Sequence, residues 1–276
     1  MTLNLDLSAS DAKVARAREH AKALEAEADR VTAERNPYGS RIAQVNKNSG
    51  WYVIHLTQID HPREYGLGII FGDVMHNLRC ALDYIVTALV GASNISLTNN
   101  HQFPVFSTKD AYEKSVGDNL VAVPREKGRK GPLRGITVGL QDVWDVQPFH
   151  RKKDPRGDPL YVVHRFSNAD KHRVVAEILP YLQQSALHIF PSEGVVEQIR
   201  NQSAPRWELE AEYEVGRIRY AEPFPTNVHL QGNVTVEVFF GTRAFGQEPR
   251  GLVIPLGYIN ATCDYVAEVV ERFKAL

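Results

Sequence analysis

His76, Arg79 and Asp83 stand three and four residues apart within FGDVMHNLRCALDYIVTALV. On a helix this spacing sets all three on one stripe of neighbouring turns. An imidazole beside carboxylates keeps its proton to higher pH, and a guanidinium can hold a phosphate or a carboxylate. The set therefore suits acid–base work on an anionic substrate. It equally suits an internal ion-pair network, since Arg79 and Asp83 at i, i+4 pair without any ligand.

A second polar group follows at SNADKHRVV, where Asn168, Asp170, Lys171, His172 and Arg173 occupy six positions. If this stretch is helical, Asp170 and Arg173 share a face; if it is extended, Asp170 and His172 do. Either way a carboxylate stands close enough to orient an imidazole. Joined to the first cluster, it gives a polar pocket with His76, Arg79, Asp83, Asp170 and His172 as candidate catalytic residues. The alternative is an Asn/Asp turn that begins the next element, with Lys171 and Arg173 in solvent. A single metal ion held by His76, Asp83, Asp170 and His172 has no spacing signature in its favour, so no metal is expected.

Phosphate-binding capacity is concentrated elsewhere. Residues 125–156, PREKGRKGPLRG through FHRKKDPRGDP, carry nine Lys and Arg against four Asp and Glu, although the whole chain has a net charge of −1. Arg129, Lys130, Lys152 and Lys153, together with Arg79, Lys171 and Arg173, are the candidate phosphate contacts. Gly and Pro make these two basic segments loop rather than helix, and ITVGLQDVW between them reads as a helix. The plainer reading is a solvated, solubilising loop, and its few aromatic residues weaken an argument from base stacking.

The elements that must carry these groups can be read from periodicity. Around residues 68–90, Phe71, Val74, Met75, Leu78, Leu82, Ile85 and Leu89 fill one apolar face, and Asp73, His76, Arg79, Asp83 and Thr87 fall opposite. Ser8 and Asp11 match a capping box before an earlier helix. In it, Val14, Ala17, Ala21, Leu24, Ala28 and Val31 form an alanine-rich heptad seam. The seam could lie on the chain's own core or join two copies, and a homodimer through this helix is expected. WYVIHLTQI, VVAEILPYL, SALHIF, WELEAEYEV and VTVEVFF read as strands, the fourth with Trp207, Leu209, Ala211, Tyr213 and Val215 on one face. A last helix, capped by Asn260 or Thr262, buries Val266, Val269, Val270 and Phe273. The expected class is α+β, long helices packed on a mainly antiparallel sheet from the C-terminal half plus the 51–59 strand. The N-terminal helix, residues 1–40, lies outside a single domain over 41–276; the alternative is a helical part to 176 and a β-rich part over 177–276.

Composition narrows the classes. With 43% hydrophobic and 24% charged residues, the 276-residue chain is an ordinary globular one. Two cysteines, Cys80 and Cys263, argue against a disulfide framework and for a reducing, cytoplasmic setting. The start carries no basic-then-apolar leader pattern, and no apolar run approaches the roughly 18 residues needed to span a bilayer. There is no His-Glu-x-x-His, Cys-x-x-Cys, Walker loop, G-x-G-x-x-G or G-x-S-x-G, so no cofactor is expected.

HNLRCALDYIVTALV, HQFPVF, the VQPF at 146–149 and NADKHR together resemble a widespread family of uncharacterised bacterial proteins, frequent in actinobacteria. Those proteins share an LRxALD helix, a Phe-Pro segment and a DKHR stretch, and the resemblance covers about residues 66–175. It implies no activity. More loosely, an Arg on a polar helix face resembles the HEPN ribonucleases, in which a His follows the Arg after four to six residues. The corresponding positions here hold Tyr84, Ile85 and Val86, so His76 or His172 would have to supply the imidazole. The resemblance implies binding of RNA or a phosphorylated small molecule, with metal-independent cleavage of RNA as its catalytic form. In that form Arg79 grips the phosphate and an imidazole moves the proton. The alternative is a non-catalytic interaction protein whose polar clusters are structural.

Overall fold

Apolar residues recurring at threes and fours make helices, and alternating ones make strands. The computed structural model follows that division over residues 5–34, 38–44, 49–58, 65–116, 131–151, 154–171, 177–182, 195–200, 212–224, 236–241 and 252–276, which are the residues it describes. In chain order the elements are α1 (Ser8–Glu34), β1 (Tyr38–Gln44), β2 (Trp51–Gln58), α2 (Tyr65–Ala92), α3 (Lys109–Val116), α4 (Leu140–Asp145) and α5 (Pro148–Arg151). After a short 3-10 turn come α6 (Pro159–Lys171), β3 (Glu177–Leu182), β4 (Val195–Arg200), β5 (Glu212–Tyr220), β6 (Val236–Gly241), β7 (Val253–Pro255) and α7 (Tyr258–Lys274). The class is α+β.

Two compact units share this chain, and both are discontinuous. The first comprises Met1–Glu25, Tyr65–Glu177 and Phe240–Leu276; the second comprises Ala26–Glu64 and Ile178–Phe239. This division falls inside α1.

The first unit is built on α2. All seven residues of its expected apolar face are buried, and each such side chain contributes about 1.5–3 kcal/mol by leaving water. Phe71 stacks on Phe240 with centroids 4.2 Å apart and meets Phe166 of α6 edge-on at 4.8 Å. The α7 stripe of Val266, Val269, Val270 and Phe273 is buried as well. That helix starts earlier than its Asn and Thr suggested: its N-cap is Gly257, which makes no side-chain cap. At the start of α1, Asp6 accepts the Ser8 N–H at 3.1 Å; the Ser8 hydroxyl first, and this N–H second, hold the Asp6 carboxyl below the usual carboxylate range.

The heptad seam of α1 is used within the chain. Val14, Ala17, Ala21 and Leu24 are at most 4% exposed. Small residues let the helices approach closely enough for the Ser10 hydroxyl to donate to the Ala81 carbonyl at 3.0 Å and for Lys13 Nζ to donate to Asn77 Oδ1 at 3.2 Å. On the α7 side, Arg18 pairs with Asp264 at 2.8 Å, Asn260 donates to Glu25 at 2.6 Å, and Lys274 reaches Asp11 at 2.8 Å. This part of the seam is thus packed within the chain, beside α2 and α7. The Val31 side chain lies outside the description.

In the second unit, β1, β2, β5 and β4 form an antiparallel sheet in that order. Strand β1 is not among the strands expected from the sequence. Opposite Ile54 lies Gly216 and opposite His55 lies Glu214, so Val215 is an extra residue on β5. A one-residue bulge reverses side-chain parity. The apolar positions, odd-numbered as far as Val215 in the sequence, are accordingly even-numbered beyond it. Gly216, Ile218 and Tyr220 are buried, and Arg217 and Arg219 are exposed. Residues 207–211 and the SALHIF stretch lie outside the described residues.

Candidate functional site

A buried backbone segment with no neighbouring strand must find hydrogen-bond partners among side chains. The segment His101–Phe106 poses that problem: Phe103, Pro104 and Val105 are all buried, and no residue of the stretch is helix or strand. Proline at 104 removes one donor. The His101 and Gln102 N–H groups donate to the Thr98 and Pro132 carbonyls, and residues from α2 and from the turn after α4 meet groups of Phe103, Pro104 and Phe106.

Arg79 and Asp83 act on Phe103 together. Arg79 Nη2 donates to the Phe103 carbonyl at 2.8 Å, and Asp83 Oδ1 accepts the Phe103 N–H at 2.8 Å. The two side chains also bind each other, with Nη2 to Oδ1 at 2.9 Å and Nε to Oδ2 at 3.2 Å. One donor and one acceptor thus meet the N–H and C=O of a single residue, as an adjacent strand would. The Arg79 side chain is 4% exposed and that of Asp83 33%. Nη1 of Arg79 is buried with no partner among the described residues.

Gln147 does the same work one residue further along. Its Nε2 donates to the Pro104 carbonyl and to the Val143 carbonyl, each at 2.9 Å, and its Oε1 accepts the Phe106 N–H at 3.1 Å. It is fully buried. Gly139 sets the start of α4, which leads to Gln147: its φ is +68°, and a Cβ there would lie 2.7 Å from Leu89 Cδ2. His101 closes the near end. Its Nδ1 accepts the Thr98 N–H at 3.0 Å, so the ring proton sits on Nε2, which donates to the Arg134 carbonyl at 2.9 Å. Phe103 then packs edge-on against Phe273.

The sequence motifs LRxALD, HQFPVF and VQPF therefore meet in one place, as a helix, a strap and the glutamine that pins the strap. The five expected members of the polar face of α2 do not stay together. Asp73, His76 and Thr87 are exposed, Asp83 is half-buried and Arg79 is buried. Arg79 borders the apolar face, and the strap covers it. His76 meets the Cys80 thiol, Nε2 to Sγ 3.5 Å, and Asp83 bonds to Arg79 and Phe103 instead. Asp170 and Lys171 belong to the last turn of α6, which settles their backbone as helical. Their side chains, together with His172, Arg173, Arg129, Lys130, Lys152 and Lys153, lie outside the described residues.

Two functional features carry signals that the motif reading passed over. Gln147 is a polar residue between Val146 and Pro148, and its burial requires partners. His76 and Cys80 have the i, i+4 spacing of a helical pair.

The described part of the basic stretch is partly committed. Arg151 Nη1 lies 3.3 Å from the buried carboxylate of Asp158, whose other oxygen accepts the Leu160 N–H at 2.9 Å and so caps α6. The Arg151 guanidinium also sits 3.7 Å from the Tyr265 ring centre. Burial pushes the Tyr265 hydroxyl up to about 12. Nearby, Trp144 stands 5.1 Å from Phe149 and 4.9 Å from His150, and Lys109 Nζ lies 5.8 Å from the Trp144 ring. No group of three or more His, Cys, Asp or Glu able to hold a metal occurs among the described residues, and none of the described helices is long and apolar enough to cross a membrane. Comparison with family models, curated proteins and solved structures gives no match.

Proposed function

We propose that this chain is a non-catalytic interaction protein in which Arg79, Asp83 and Gln147 hold the strap 101–106 and take no part in chemistry. The observation that carries the reading is the state of Arg79. Its guanidinium is buried and bound to Asp83 and to the Phe103 carbonyl. Its one nitrogen without a partner among the described residues, Nη1, is enclosed, so a phosphate would reach the guanidinium only after the buried packing around it opened, at a cost of several kcal/mol where the bonds to Asp83 or the Phe103 carbonyl are lost. Among the described residues no imidazole bonds to it, and His76 meets Cys80 instead. Under this reading the LRxALD, Phe-Pro and QPF motifs shared with the resembling bacterial family are a common way of building the fold.

A second reading, binding of RNA or a phosphorylated small molecule, is favoured by one observation. Trp144, Phe149 and His150 meet ring to ring where the basic 125–156 stretch ends, and rings beside cations are what single-strand binders use. One experiment separates the two. The full chain is incubated with mixed single-stranded RNA, with EDTA or with Mg²⁺, at low and at physiological salt. No binding at low salt leaves the interaction reading, because phosphate contacts are strongest there. Binding that weakens with salt and survives Arg79→Ala supports the second reading without cleavage. EDTA-resistant cleavage lost in a folded Arg79→Ala protein overturns the first reading and restores the HEPN-like one.

A further inference from the structure

A thiol and an imidazole one helical turn apart form a nucleophile and its base when the side chains touch. Helical side chains lean toward the N-terminus, so the sulfur at position 80 leans toward the turn that carries position 76. That is the arrangement on α2: Cys80 Sγ lies 3.5 Å from His76 Nε2. His76 is exposed and Cys80 half-buried. The two cysteines of the chain are in opposite settings, and neither is in a disulfide. Cys263 is fully buried, and burial pushes its thiol up to about 11. The charged side chains on the turns beside the pair are Asp73 and Asp83 of α2, the latter held by Arg79, and Lys13 of α1, which donates to Asn77.

We infer that Cys80 is the reactive thiol of this chain, a site of covalent modification by small soft electrophiles, with His76 taking up its proton. In the step itself the thiol proton passes to His76 Nε2 and the sulfur attacks the electrophilic carbon. With iodoacetamide as the probe, the S–C bond forms as the C–I bond breaks, and iodide leaves with the bonding pair. The inference does not depend on whether the chain binds RNA, because neither residue belongs to the strap or to the ring cluster.

The test is the rate of alkylation of the native full chain by iodoacetamide across pH 6–9, read by intact mass and peptide mapping. A single adduct on Cys80 is expected, absent in Cys80→Ser, with Cys263 labelled only after unfolding. The half-maximal rate should lie below the pH of an unassisted thiol, about 8.5. His76→Gln should slow Cys80 about threefold at neutral pH, since a larger thiolate fraction outweighs its lower intrinsic nucleophilicity, and should return the profile to the unassisted position. An unreactive Cys80, an unassisted profile in the unmodified chain, or identical profiles with and without His76 each overturn the inference. Should His76→Gln fail to fold, the profile of the unmodified chain decides alone.

Discussion

Arg79→Ala separates a structural clamp from a ligand-binding arginine, and its expected cost can be worked from the contacts. The substitution removes a charged donor from the buried Phe103 carbonyl, worth about 1.5–3 kcal/mol, and leaves that carbonyl unpaired. It also strips Asp83 of its counter-charge. Breaking a fully buried ion pair by removing one partner costs about 3–5 kcal/mol, but the Asp83 side chain is a third open to water, so only a fraction of that applies. The two losses share one guanidinium and do not add. A net destabilisation of about 3 kcal/mol follows, or roughly 6–12 °C in melting temperature at 2–4 °C per kcal/mol. Arg79→Lys should fall between, because an ammonium keeps the charge but cannot bond Asp83 and Phe103 with one rigid fork. Calorimetry of the two variants and of Asp83→Ala, with the double mutant closing the cycle, measures this directly, and amide exchange at Phe103 should quicken when Asp83 is lost. A melting temperature within about 1 °C of the unmodified chain, alongside abolished ligand binding, would refute the reasoning.

Gln147→Leu keeps the volume but strips two carbonyls and one N–H of their partner, so a loss of about 3 kcal/mol is expected by urea titration; a neutral result would mean the strap is held without it. Ala21→Glu places an unpaired carboxylate in the α1 seam and should lower the melting temperature without altering the sedimentation coefficient. A shift from dimer to monomer would show instead that the seam serves a second copy. Burial raises the Tyr112 hydroxyl from 10 to about 12, so between those values the unfolded chain releases a proton that the folded chain retains. The stability contributed by the neutral ring is therefore intact below pH 10 and falls as pH climbs toward 12. Tyr112→Phe should flatten that fall in thermal melts followed beside tyrosinate absorbance; an unchanged slope would count against burial as the cause.

The helices were legible because their apolar positions recur with the period of the element they build. Phe71 through Leu89 on α2 and Val266 through Phe273 on α7 are buried as their spacing requires, and the Arg79–Asp83 pair is the i, i+4 contact that the sequence spells out. What those residues serve was not legible. Their common partner is the backbone of Phe103, and a peptide N–H and C=O carry no residue-specific mark that could be matched across twenty positions of sequence. Gln147 reaches the same strap from more than forty positions away for the same reason. The alanine seam of α1 declared a face for close packing, but periodicity describes a face and not what covers it, so only the assembled chain shows α2 and α7 there. On β5 the alternation was readable until Val215, where one extra residue reversed it. Local patterns record which side of an element leaves water; the pairing of two sides, and the register of two strands, is decided by contacts between distant parts of the chain, and only the tertiary structure contains those.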